Sequence, residues 1–147
     1  MTKIAQQKIL EKIQRLDEYL YCLIQLRGEI PDEKAFLDDF HLHGLAERYL
    51  QLSCQAVIDT LNLIIIERDL QKPESGQEII THLRNSNIIS EELSSRLSGV
   101  VGFRNILVHE YGRIDHKRIY DYLMNRLEDF EAFKQEVLMM IKSSTAD

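Results

Sequence analysis

Within the stretch "RNILVHEY", Arg104, His109 and Tyr111 carry side chains suited to proton and phosphate chemistry. An imidazole titrates near neutral pH, so His109 is able to take a proton or to give one. A guanidinium binds phosphate oxygens through parallel donors, which suits Arg104 to a phosphate ligand. Together they fit RNA cleavage that needs no metal. A base removes the proton of a ribose 2′-hydroxyl, the freed oxygen attacks the neighbouring phosphate, and the arginine stabilises the charge that builds on the phosphorane. The last turn of a helix also presents unpaired carbonyls that favour an imidazolium, so the acid role stays open beside the base role. A lone histidine at a helix end is also commonly a cap or a surface residue, and that plainer reading stands beside the catalytic one.

The spacing adds a geometric condition. Each helical residue turns the chain by about 100°, so Arg104 and Tyr111, seven apart, fall within about 20° of each other. His109 lies about 140° from Arg104 and meets it only if the helix loosens near Gly112 or the arginine comes from a second copy of the chain. The misfit favours a site built across a dimer.

Periodicity supplies the elements that position these groups. Residues 3–27 place Ile4, Ile9, Ile13, Leu16, Leu20, Leu23 and Ile24 at mostly three- and four-residue steps, the pattern of one amphipathic helix that Gly28 stops. Pro31 opens a second helical stretch with acids in its first turn. Residues 42–70 form the longest helix, with a break or kink expected at Gly44 and an end, "LNLIIIERD", apolar on nearly every side. "QKPESGQ" is a loop, followed by a short helix near 77–83. Ser90 caps the helix that carries the motif and ends at Gly112, and Asp115 caps a last helix striped by Ile119, Leu123, Leu127, Phe130, Phe133, Val137 and Met140. No strand pattern or internal repeat is present. The expected fold is an all-α antiparallel bundle of four to five helices, one domain over residues 1–147.

Composition narrows the function classes. The 147 residues carry a formal charge of −6, which argues against a protein that coats nucleic acid with its whole surface. Locally the balance reverses: Arg104, Arg113, Lys117, Arg118 and Arg126 outnumber Glu110, Asp115 and Asp121. Cys22 and Cys54 lack zinc-type spacing and read as two buried free thiols. Glu78 and His82, four apart, read as a surface pair, and neither metal nor cofactor is expected. The opening segment lacks the apolar run of a signal peptide and no later one reads as a membrane span, so a cytoplasmic location is the expectation.

Arg104, four residues, His109, one residue and Tyr111 together resemble the R-x4-H-x-Y signature of the HepT-like branch of HEPN proteins, toxins paired with minimal nucleotidyltransferase antitoxins. Asn105 fits that family's preference for a polar residue after the arginine, and "AERYLQLSCQAVIDTLNLII" resembles its long second helix. The resemblance implies a metal-independent endoribonuclease, active as a homodimer whose two motifs face one another, with Arg104 and His109 catalytic and Asn105 supporting. It further implies an MntA-like antitoxin that silences the toxin by transferring AMP to Tyr111. Leu63 stands where the family usually has a histidine, and no role is assigned to Asp59 or Asn62. Two other readings remain: a non-catalytic HEPN module that binds a nucleotidyltransferase, and a helical dimerisation domain in which Arg104 and His109 pair with acids.

Overall fold

Ile9, Ile13, Leu16, Leu20, Leu23 and Leu26 become the buried stripe of α1 (Lys3–Glu29) in the computed structural model, which describes residues 1–110 and 113–146. Thr2 caps the helix by accepting from the Ala5 amide. The helix continues through Gly28 and ends one residue later, with Ile30 extended as its cap before Pro31. Pro31 biases the residue before it toward extended backbone, and that constraint sets the end. Asp32 then caps the short α2 (Glu33–Asp38), which buries Phe36.

Asp39 closes α2 and caps α3 (Phe40–Glu67) by accepting from the His41 amide at 2.9 Å. α3 passes Gly44 as one helix, and a Cβ there would meet nothing within 4 Å. Among the described residues it is the one helix long and apolar enough to cross a membrane, yet 56% of that window is buried in the bundle. Every other helix packs against it, and its apolar end buries Leu61, Ile64 and Ile65 while Ile66 faces solvent. Its buried hydroxyls, Ser53 and Thr60, donate back to the Tyr49 and Ala56 carbonyls at 2.8 and 2.7 Å. Asp69, at φ 53°, turns the chain away at its end.

Ser75 caps α4 (Gly76–Asn85), and a Cβ on Gly76 would lie 2.7 Å from Val101 Cγ1, so the approach of α4 to the next helix requires glycine. That helix, α5 (Glu91–His109), is capped by Ser90 and carries the motif. It ends with the Glu110 amide donating to the Ile106 carbonyl at 2.9 Å; the expected stop at Gly112 lies outside the described residues. Asp115 caps α6 (His116–Asn125), and α7 (Leu127–Ala146) follows after a break at Arg126.

The last apolar stripe therefore runs over two helices instead of one. The break sits beside Asp129, buried in the first turn of α7, which accepts from Arg96 Nη1 at 2.7 Å and faces Arg126 Nε at 3.1 Å. The fold is all-α, with no strand among the described residues. The count of seven described helices exceeds the expected four to five because of the short α2, α4 and the α6–α7 break.

Candidate functional site

α5 stays regular to His109, so the two motif side chains diverge as the helical angle requires. Arg104 shares its face with Leu97 and Val100, both buried against the bundle, and is itself half-buried. Its guanidinium points to α3, where Nη2 donates to Gln55 Oε1 at 3.3 Å. Gln55 Nε2 in turn donates to Asp59 Oδ1 at 2.8 Å, and Lys12 Nζ of α1 meets Asp59 Oδ2 at 3.4 Å. A polar relay thus crosses three helices and ends on the arginine. Arg104 Nε is buried and has no hydrogen-bond partner among the described residues.

Gln55 and Asp59 escaped the sequence reading, which set Asp59 aside. The signal was present in their type and spacing: two polar residues four apart on an apolar helix share a face. Cys54, next to Gln55, is fully buried and its thiol is pushed up to about 12 by burial, against the opposing pull of the Arg104 charge. At neutral pH it stays a thiol and is no nucleophile.

His109 is exposed at the end of α5, and among the described residues no hydrogen bond or ion pair joins it to Arg104. Asn105 is half-buried beside the arginine. Tyr111 lies outside the described residues. Glu78 and His82 form the surface pair expected of them, 3.3 Å apart, and no cluster of three metal-ligating side chains occurs among the described residues. Both cysteines are free thiols; Cys54 is buried as expected, and Cys22 is only half-buried.

The start of α6, just beyond the motif, is held by a histidine stack. His43 of α3 and His116 of α6 lie ring on ring, 3.9 Å between centroids at 18°, with Phe36 edge-on to His43. Burial pushes the His43 imidazole below its ordinary value and the neighbouring His116 lowers it further, while Glu47 and Asp39 oppose the shift. With the folded value below the unfolded one, the unfolded chain binds the proton more readily, so this contribution is present above about pH 6.5 and lost as pH falls. Thermal melts are expected to show a falling Tm between about pH 7 and pH 5, and His43→Phe to flatten that fall. An identical fall in the variant would remove the stack as its source.

An all-α bundle with the R-x4-H-x-Y order at the end of its motif helix is, by its match to the family and to a solved HEPN toxin, a bundle of the HEPN class. The chain belongs to the Ribonuclease HepT-like family, whose model matches residues 9–137, and its enzymatic class is accordingly ribonuclease. It is 34% identical over 112 residues to an mRNA nuclease HepT of Shewanella oneidensis, spanning 76% of this chain and 84% of that one. A tRNA nuclease HepT of Aphanizomenon flos-aquae is 27% identical over 137 residues, 93% of this chain and 92% of that one. Among solved structures, the tri-AMPylated Shewanella oneidensis HEPN toxin in complex with its MNT antitoxin is similar at a TM-score of 0.79 and 32% identity, covering 95% of this chain and 99% of that toxin.

Proposed function

We propose that this chain is the endoribonuclease toxin of a toxin–antitoxin pair, a single HEPN domain over residues 1–147 that acts in the cytoplasm as a homodimer. The observation that carries the reading is the pair on α5: an arginine with an unpaired buried donor and an exposed histidine, in the order the family motif sets. The nuclease names of two relatives that span most of the chain support it.

In this reading His109 removes the proton of a ribose 2′-hydroxyl, or returns one to the leaving 5′-oxygen. Arg104 neutralises the phosphorane, and the relay through Gln55 and Asp59 holds its guanidinium. The 2′-oxygen bonds to phosphorus as the bond to the 5′-oxygen breaks, leaving a 2′,3′-cyclic phosphate. Asn105 positions the substrate, and no metal takes part.

Tyr111 contacts the substrate and is the site at which a nucleotidyltransferase antitoxin silences the enzyme. Its phenol oxygen attacks the α-phosphate of ATP, pyrophosphate leaves, and the bulky AMP blocks access to His109. The AMPylated state of the similar Shewanella toxin supports this.

The test is cleavage by protein freed of antitoxin and shown unmodified by intact mass. Wild type is expected to give cyclic-phosphate ends with or without a chelator, and His109→Ala to be slower by about 10²- to 10⁴-fold. RNA left intact by the wild type would leave only a binding module.

A further inference from the structure

We propose that the groove between α5 and α6 is the track for RNA backbone phosphates on the His109 side of the motif helix, with Lys117 and Arg118 as their ligands. The proposal rests on the ribonuclease reading and adds to it where the substrate lies.

The groove, about 540 Å³, has Gly99, Gly102 and Ile106 of α5 on one wall and Lys117, Arg118 and Asp121 of α6 on the other. Gly102 precedes His109 by seven residues and so lies within about 20° of it around the helix, and Ile106 within about 60°. Gly99 lies about 80° and Phe103 about 120° from His109, so the wall of the groove borders the side of α5 that ends in His109, whereas Arg104 points away, toward Gln55. A strand in the groove leads to the histidine. Its arginine must then come from elsewhere, which fits a site completed by a second copy.

The groove keeps a net positive charge, two cations against the one carboxylate of Asp121. Neither Lys117 nor Arg118 has a carboxylate within 4 Å among the described residues, although Asp121 lies at helical spacing from both. Asp121 instead accepts from Asn125 Nδ2 at 2.8 Å, and Asp115 is occupied in capping the Lys117 amide at 3.0 Å. Lys117 and Arg118, without ion pairs among the described residues, face one groove in a chain of net charge −6, an arrangement that attracts a polyanion locally while the rest of the surface repels it.

The walls suit a sugar–phosphate backbone. A Cβ on Gly102 would meet nothing within 4 Å, so this part of α5 is bare and a strand can approach closely. The ring of Phe103, stacked on Tyr122 at 3.9 Å, makes the floor apolar. Cations over an apolar floor offer charge and few base-edge partners, so the contact reads phosphates and not sequence.

Binding of a short mixed-sequence single-stranded RNA by the full-length His109→Ala protein, measured against salt, tests the assignment. Adding Lys117→Gln and Arg118→Gln is expected to weaken binding about tenfold at low salt and to reduce the log–log salt slope by about 1.4, two phosphates at about 0.7 each. Gly102→Leu, whose side chain enters open space, is expected to keep the fold by thermal melting and to weaken the same binding by occluding the groove. Unchanged affinity and slope in both variants would overturn the track, as would loss of antitoxin binding with RNA binding intact. Should the double variant fail to fold, the Gly102→Leu result decides by itself. The ribonuclease reading is tested separately by the wild type: cleavage with unaltered binding in the groove variants sinks the track alone, and no cleavage and no binding sink both.

Discussion

Mixing chains that carry Arg104→Ala with chains that carry His109→Ala is expected to restore RNA cleavage that neither variant supports by itself. Each substitution removes one half of the chemistry, the transition-state cation or the proton carrier, and costs about 10²- to 10⁴-fold in rate. Within one chain the two side chains diverge, because α5 is helical up to His109 and the guanidinium is held by Gln55 on α3. A site that joins one protomer's histidine to the other's arginine behaves differently in the mixed dimer. The intact histidine meets the intact arginine in one site, and the other site holds two alanines. A purified mixed dimer then keeps roughly half of the wild-type rate. If each arginine serves its own chain's histidine, every site lacks one group and the mixed dimer is as inert as either parent. Purification through two different tags isolates the mixed species, and light scattering confirms that Arg104→Ala leaves the dimer assembled. An inert mixed dimer would mean that the helix opens between Arg104 and His109 when RNA binds.

What the sequence made legible was local. Caps at Ser90 and Asp115, the middle of the α1 stripe from Ile9 to Leu23 and the regular course of α5 depend on neighbours within one or two turns and appear as expected, whereas Ile4 and Ile24 at the ends of that stripe face solvent and Leu26 is buried instead. The 140° divergence of Arg104 and His109 follows from the same local geometry. The parts that escaped depend on partners far along the chain. Arg104 meets Gln55 across 49 residues and Arg96 meets Asp129 across 33, so neither the arginine's inward hold nor the setting of the α6–α7 break was visible in periodicity. Leu63, standing where the family has a histidine, draws attention away from Asp59, whose i−4 pairing with Gln55 is legible in the spacing but whose contact with Lys12, 47 residues away, is not. Gly28 and Gly44 suggest interruptions by residue type, but helix ends are set by whether the next residue can continue, and at the end of α1 it is Pro31 that blocks continuation.

Phe103→Ala is expected to cost about 3 kcal/mol of stability, while Tyr122→Phe, at the other half of the same stack, is expected to gain about 1 kcal/mol. Phe103 immediately precedes Arg104 and is 6% exposed; its ring lies flat on Tyr122 of α6, which meets Phe130 of α7 edge-on at 6.2 Å. Truncating it removes the contact that ties the motif helix to both later helices and leaves a void that the neighbouring backbones cannot close. The Tyr122 hydroxyl has the opposite standing. It is buried with no hydrogen-bond partner among the described residues, and burial foremost, then Cys54 and Asp129, raise it well above an ordinary tyrosine, so it keeps its proton and leaves that donor unpaired. Removing the oxygen keeps the ring stack and relieves the desolvation. Urea unfolding reads both effects as shifts in midpoint at constant slope. The two are not expected to add. Once Phe103 is gone, water can reach the Tyr122 hydroxyl and satisfy it, so the gain from Tyr122→Phe should vanish in the Phe103→Ala background. A gain that persists there would show that the hydroxyl's cost does not come from the ring that covers it.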